Sequence, residues 1–128
     1  RIRARAFWQY AQSGGPGRKW WGNQNAKEIF MTMHAIIRMG PVLPVVVIEH
    51  VSQAMPLADA LADGGINVIE ITLRSTAALD CIATIASQRP QMTVGAGTVL
   101  APAQMQAAKD AGAAFAVSPG AYPDLIIS

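Results

Sequence analysis

With 128 residues, 52% of them apolar and 14% charged, the chain has the composition of one well-buried globular domain rather than a disordered protein. The apolar run "PVLPVVVI" is interrupted by proline and falls far short of the roughly 18–20 residues of a membrane helix, so no membrane partner is expected. The formal charge of +2 is divided, because residues 1–30 hold six basic side chains against Glu28 alone, while residues 31–128 hold Arg38, Arg74, Arg89 and Lys109 against seven acids.

The basic head also holds Trp8, Trp20 and Trp21, but it lacks a helical basic stripe or a recognition pattern, so no nucleic-acid partner is expected. No signal-peptide pattern leads from Arg1, Arg3 and Arg5. Residues 1–25 read as a basic, disordered extension, with a natural start near Met31 or Met33. Cys81 is the single cysteine, which excludes an intrachain disulfide and a cysteine-cluster metal site and suits a reducing cytoplasm.

From residue 26 the texture changes. Ile29, Met33, Ile36 and Ile37 have helical spacing and Gly40 follows as a stop. "VLPVVVI" (42–48) predicts a doubly buried strand, with Pro44 marking an early position or an irregular start. Ser52 is expected to cap a helix whose face is Ala54, Leu57, Ala58 and Leu61, ended by Gly64 and Gly65. "NVIEITL" predicts a second strand. A second helix follows, with Leu79, Ile82, Ala83 and Ala86 on one side, and Cys81 reads as core. "MTVGAGTV" predicts a third strand, "APAQMQAAKDAGA" a third helix, "FAVSPG" a fourth strand and "AYPDLIIS" the beginning of another helix.

The repeat of strand and helix at about 23–25 residues argues for parallel strands with helices outside. Two architectures fit, a doubly wound open sheet and a (β/α)8 barrel. Four strands make only half of a barrel, and the uncapped apolar ending "PDLIIS" suggests truncation.

Alternation in the second strand puts Ile69, Ile71 and Leu73 on one face and Val68, Glu70, Thr72 and Arg74 on the other. An ionised carboxylate without a partner is expensive to bury, so Glu70 is either paired with a cation inside the sheet or carries a raised pKa suited to proton transfer. Arg74 falls near the carboxyl end of the strand, where it is either a surface side chain or a two-pronged donor to a carboxylate or phosphate. In "GAGT", Gly95 and Gly97 read as room for a ligand to approach backbone and Thr98 as a hydroxyl at the strand end; the third glycine of a dinucleotide fingerprint is missing. Pro119 in "SPG" either shapes a pocket wall or makes an ordinary turn. His34 and His50 have no metal-ligand spacing, and no metal or other cofactor is expected.

"GPVLPVVVI", "ALADGGINVIEITLRS", "VGAGTVL" and "AGAAFAVSPG", in this order and spacing, resemble the amino-terminal half of the 2-dehydro-3-deoxy-6-phosphogluconate (KDPG) and 4-hydroxy-2-oxoglutarate (KHG) aldolases, over about residues 38–128. Thr72, Arg74 and Gly120 favour this branch over the related phosphogalactonate aldolases. The resemblance implies a TIM-barrel fold, here an incomplete barrel of about four β/α units behind an N-terminal helix (26–128), and usually a homotrimer. It implies a class I aldolase, which forms a Schiff base between a lysine and the pyruvate part of a small 2-keto acid. On that resemblance Glu70 transfers protons, Arg74 and Thr98 hold the carboxylate, and Pro44 and Pro119 line the pocket. The family's Schiff-base lysine has no counterpart here, since Lys19, Lys27 and Lys109 are the lysines present, and the chain alone is expected to be inactive. The alternatives are a non-catalytic half-barrel that serves as a binding or assembly module, and a small doubly wound domain that binds an anionic metabolite at Arg74 and Thr98.

Overall fold

A computed structural model of the chain describes residues 33–120. The expected extension at 1–25, the helix residues before Met33 and the helix expected from Ala121 onward lie outside the described residues. The described part runs α1 (Met33–Arg38), β1 (Val45–Val46), a 3-10 turn (Val51–Gln53), α2 (Ala54–Asp63), β2 (Val68–Thr72), α3 (Ala78–Gln88), β3 (Thr93–Gly97), α4 (Pro102–Asp110) and β4 (Phe115–Ala116). The four strands form one parallel sheet in the order β1-β2-β3-β4. Sequential order without a reversal is the arrangement of a barrel wall, and it removes the doubly wound alternative, which needs a switch in strand order.

The register sorts the side chains into an inner and an outer face. Val45, Glu70, Gly95 and Phe115 are neighbours across the sheet, and so are Val46, Ile71, Ala96 and Ala116 one residue further on. The second row and its alternates face α2, α3 and α4. Ile69, Ile71 and Val94 pack there with Ala58, Ile82 and Ile85 in one apolar core. The isoleucines are fully buried, and each stabilises the fold by roughly 1.5–3 kcal/mol. The inner face is filled at its lower end by Val68, Phe115 and Ile36, so α1 closes the amino-terminal end of the strands.

β2 is buried along its whole length, as a strand covered on both faces must be. β1 departs from the expected doubly buried strand. Its ladder is two residues long, and Val45 and Val47 are 58% and 48% exposed. It lies at the sheet edge, and its inner-face side chains meet no strand beyond it among the described residues. Two hydroxyls hold this edge in place: Thr72 Oγ1 donates to the Val46 carbonyl (3.2 Å) and Ser75 Oγ to the Ile48 carbonyl (2.6 Å).

The helices show two further corrections. Ser52 does not cap α2; it stands exposed within the 3-10 turn, whose start is tied by the His50 N–H donating to Gln53 Oε1 (3.1 Å). The buried stripe of α3 is Ala78, Cys81, Ile82 and Ile85, while Ala83 is exposed. That stripe follows the i, i+3, i+4, i+7 rule and is rotated by about one residue from the expected face. The face of α2 is as expected: Ala54 and Ala58 are buried, with Leu57 and Leu61 packed beside them.

Both α2 and α4 end in a glycine-closed turn. Gly65 (φ 81°) follows α2, with Ile66 N–H donating to the Leu61 carbonyl and Gly65 N–H to that of Ala62. Gly112 (φ 92°) repeats the pattern after α4, with Ala113 bonded to Ala108 and Gly112 to Lys109. The left-handed residue satisfies the last helical carbonyls in each case.

Replacing Ser75 with Ala leaves the Ile48 carbonyl short of its donor. Urea unfolding is expected to show a loss of about 1 kcal/mol, and no loss would mean that the edge strand is held by its ladder alone.

Candidate active site

The inner face opens at the carboxyl ends of the strands into a cleft of about 320 Å³. β1 and the residue after it contribute Val45, Val46 and Val47; β2 and its following turn contribute Glu70, Thr72 and Arg74; the segments just beyond β3 and β4 contribute Thr98, Val117 and Pro119. The volume is at the small end of ligand sites and matches a compact metabolite. The structure therefore brings Glu70, Arg74, Thr98 and Pro119 together from three separate β/α units.

Glu70 is 6% exposed, and no hydrogen-bond donor or cation among the described residues meets its carboxylate. Of the two readings open for it, the internal ion pair is absent among the described residues. Burial pushes its carboxyl above the ordinary range. Arg74 is exposed and lies in the turn beyond β2, where its N–H donates to the Thr72 carbonyl (2.8 Å). This tight turn leaves the guanidinium at the cleft rim, the one charged group besides Glu70 in the described lining.

Thr98 has a φ of 58°. A β-branched residue in the left-handed region costs of order 1–3 kcal/mol and persists only where its surroundings impose it. Val99, fully buried and bonded through its N–H to the Val117 carbonyl (3.1 Å), imposes it here.

Gly95 and Gly97 have a different use from the one their spacing suggests. A Cβ on Gly95 would overlap the Phe115 ring, and one on Gly97 would overlap the Glu70 carboxylate. The room left by the glycines is filled by side chains of the neighbouring strands, not kept for a ligand. The signal lay in the pairing of "E-x-T" with "G-A-G", but only a register makes it readable. Thr72 was seen as an inner-face residue without a task; its hydroxyl holds the edge strand.

Pro44 is not among the residues of the described cleft lining; its carbonyl accepts the Glu70 N–H (2.8 Å), so it meets β2 through its backbone. Lys109 is in the last turn of α4, which runs back from the strand ends, so it stands at the end of the fold opposite the cleft. Cys81 is fully buried as expected, and burial, with the Asp80 carboxylate adding to it, raises its thiol pKa and keeps it unreactive. Among the described residues no three His, Cys, Asp or Glu side chains gather as metal ligands, and no helix is long and apolar enough to cross a membrane.

Residues 33–127 match the family model described as KDPG and KHG aldolase. The chain belongs to this family. It is 47% identical over 92 residues to the KHG/KDPG aldolase of Escherichia coli, which spans 72% of this chain and 43% of that protein. It is 50% identical over 91 residues to the 2-dehydro-3-deoxy-phosphogluconate aldolase of Pseudoalteromonas atlantica, covering 71% of this chain and 42% of the relative. The chain thus spans less than half the length of the curated relatives it matches. Its fold superimposes with a TM-score of 0.71 on the KDPG aldolase of Legionella pneumophila, solved with pyruvate captured as a covalent carbinolamine; the two are 43% identical over 73% of this chain and 45% of that one. The aldolase of Zymomonas mobilis with 3-phosphoglycerate gives a TM-score of 0.68 and 47% identity over 72% and 44% of the two chains. The four-stranded sheet is accordingly an arc of a TIM-type barrel.

A carboxyl whose pKa is raised by folding contributes stability below its unfolded pKa and loses that contribution as pH rises through the folded value. Thermal melts of Glu70→Gln are therefore expected to match the parent in acid and to exceed it increasingly as pH climbs out of the ordinary carboxylate range. A constant difference at all pH values would show that Glu70 is not held in a desolvated site.

Proposed function

We propose that this chain carries the proton-transfer and carboxylate-binding side of a class I aldolase site. The reaction is cleavage of KDPG to pyruvate and glyceraldehyde 3-phosphate, or of KHG to pyruvate and glyoxylate. The observation that carries the reading is a buried carboxylate, without a partner among the described residues, that shares a small cleft with Arg74 and a strained threonine.

Each group has a task that its surroundings suit. Burial of Glu70 raises its pKa and so favours the protonated form over the carboxylate. Glu70 can protonate the hydroxyl that leaves the carbinolamine, and as the carboxylate it can take the proton from the substrate hydroxyl during carbon–carbon cleavage. Arg74 offers two parallel N–H donors to the pyruvate carboxylate, and Thr98 offers its hydroxyl to the same group. Pro119 and the valines at β1 give the cleft apolar margins on its two sides. The amine that attacks the keto group belongs to a lysine outside the strand ends described for this chain. Lys109 faces the opposite end of the fold, and Lys19 and Lys27 precede the barrel segment. Assembly as a trimer and a cytoplasmic setting go with this reading, and the lone buried thiol suits the latter.

A chimera in which residues 38–120 replace the matching segment of the Escherichia coli relative tests the proposal. It is expected to cleave KDPG and to form a borohydride-stable adduct with pyruvate. Glu70→Gln in it is expected to lower kcat by about 10²–10⁴-fold, and Arg74→Ala to weaken pyruvate binding by about 10–100-fold. A folded chimera that binds pyruvate without cleaving KDPG would favour a binding module instead.

The 128-residue chain by itself is expected to give no adduct with pyruvate and borohydride by mass spectrometry. A stable adduct on Lys109 would overturn the assignment of the amine to another segment.

A further inference from the structure

Glu70 is registered beside Gly95, yet its Cγ, Cδ and Oε1 are the atoms that a Cβ on Gly97 would meet. The side chain therefore leans diagonally across β3, two residues toward the carboxyl ends of the strands. The space directly beside it, over Gly95, is taken by the ring of Phe115, which reaches across from β4. One glycine admits an apolar floor below the acid, and the other admits the acid itself.

We infer that Gly97 is a positioning residue: its missing side chain is the slot that turns the Glu70 carboxylate up toward Thr98 and the cleft mouth, while Phe115 over Gly95 blocks the lower pose. Ala at position 97 forces the carboxylate out of the slot. Val68 and Phe115 stand below it, and β1 offers only Val45, Val46 and Val47. The displaced acid therefore moves toward water and toward Arg74, the one other charged group in the described lining, with Val117 and Pro119 on the β4 side uncharged. The slot aims the carboxylate in one direction, as a general acid facing a bound ligand requires. This rests on the acid–base reading of Glu70, but both readouts below are taken without catalysis. An inactive protein would count against that reading and leave this one to be judged by itself.

A double-mutant cycle between Gly97→Ala and Glu70→Ala provides the first test. Gly97→Ala in the parent chain is expected to lower the folding equilibrium constant by about 10-fold or more, and by less than about 3-fold when Glu70 is already Ala. If Gly97→Ala alone fails to fold, a double variant that folds as well as Glu70→Ala carries the same conclusion. An equal penalty in both backgrounds, or a double variant that fails where Glu70→Ala folds, overturns it. The second test is the carboxyl ¹³C titration of Glu70, with Gly95→Ala as the control that adds the same Cβ against Phe115. Gly97→Ala is expected to bring the Glu70 midpoint down toward the ordinary carboxylate range, and Gly95→Ala to leave it in place despite a similar loss of stability. Equal shifts in the two variants, or none in either, would mean that Gly97 is a packing residue only.

Discussion

A carboxylate held out of water with no cation against it among the described residues is the constraint that organises this molecule. Water would stabilise the ionised Glu70 far better than the inner face of the sheet does. The fold tolerates the acid because burial on the other face is large. Ile69 and Ile71 flank it on the same strand, and they, with Ile82 and Ile85 from α3, are fully excluded from solvent. Strand alternation makes this possible, since one five-residue segment supplies both the core and the acid. Gly97 leaves room for the Glu70 carboxylate, and Gly95, the neighbour of Glu70 in register, leaves room for the ring of Phe115.

Much of this was legible before any coordinates. The periodicity in "NVIEITL" assigned each side chain of β2 to its correct face, because period-2 alternation with a polar residue on alternate positions admits no other reading. The helix stop at Gly65 was equally plain, since few residues but glycine occupy that backbone region readily. The face of α3 was harder: "ALDCIATIAS" is apolar nearly all round, so a rotation by one residue changes which small side chains are buried without any cost visible in the pattern. β1 was misread for a related reason. Valine-rich runs look alike whether they lie in the middle of a sheet or at its edge, and only the neighbours decide exposure.

The site was legible in its residue types and illegible in its contacts. Glu70 is marked by a carboxylate on the inner face of β2, and Arg74, Thr98 and Pro119 by their places at or just beyond strand ends; they line one cleft because parallel β/α units deliver their strand ends to one side. Pro44 rests on resemblance alone, and the structure gives it a backbone bond to Glu70 in place of a position in the described lining. Why the glycines of "GAG" stand where they do depends on which strand lies beside which and at what offset. Those are facts about pairing, and a single chain read from end to end carries no direct signal of them.

The two ends of the sheet are built from different materials. At one end, tight glycine turns lead from α2 and α4 into β2 and β4, and α1 seals the interior. At the other, the segments that leave β2, β3 and β4 carry Arg74, Thr98 and Pro119 and contribute few of the fully excluded apolar side chains. Innovation and durability are thereby uncoupled. A lineage can trade the residues of the departing loops for others while the closed end keeps the polypeptide folded, so that a cleft of new shape and charge becomes accessible by single replacements that leave the foundation untouched.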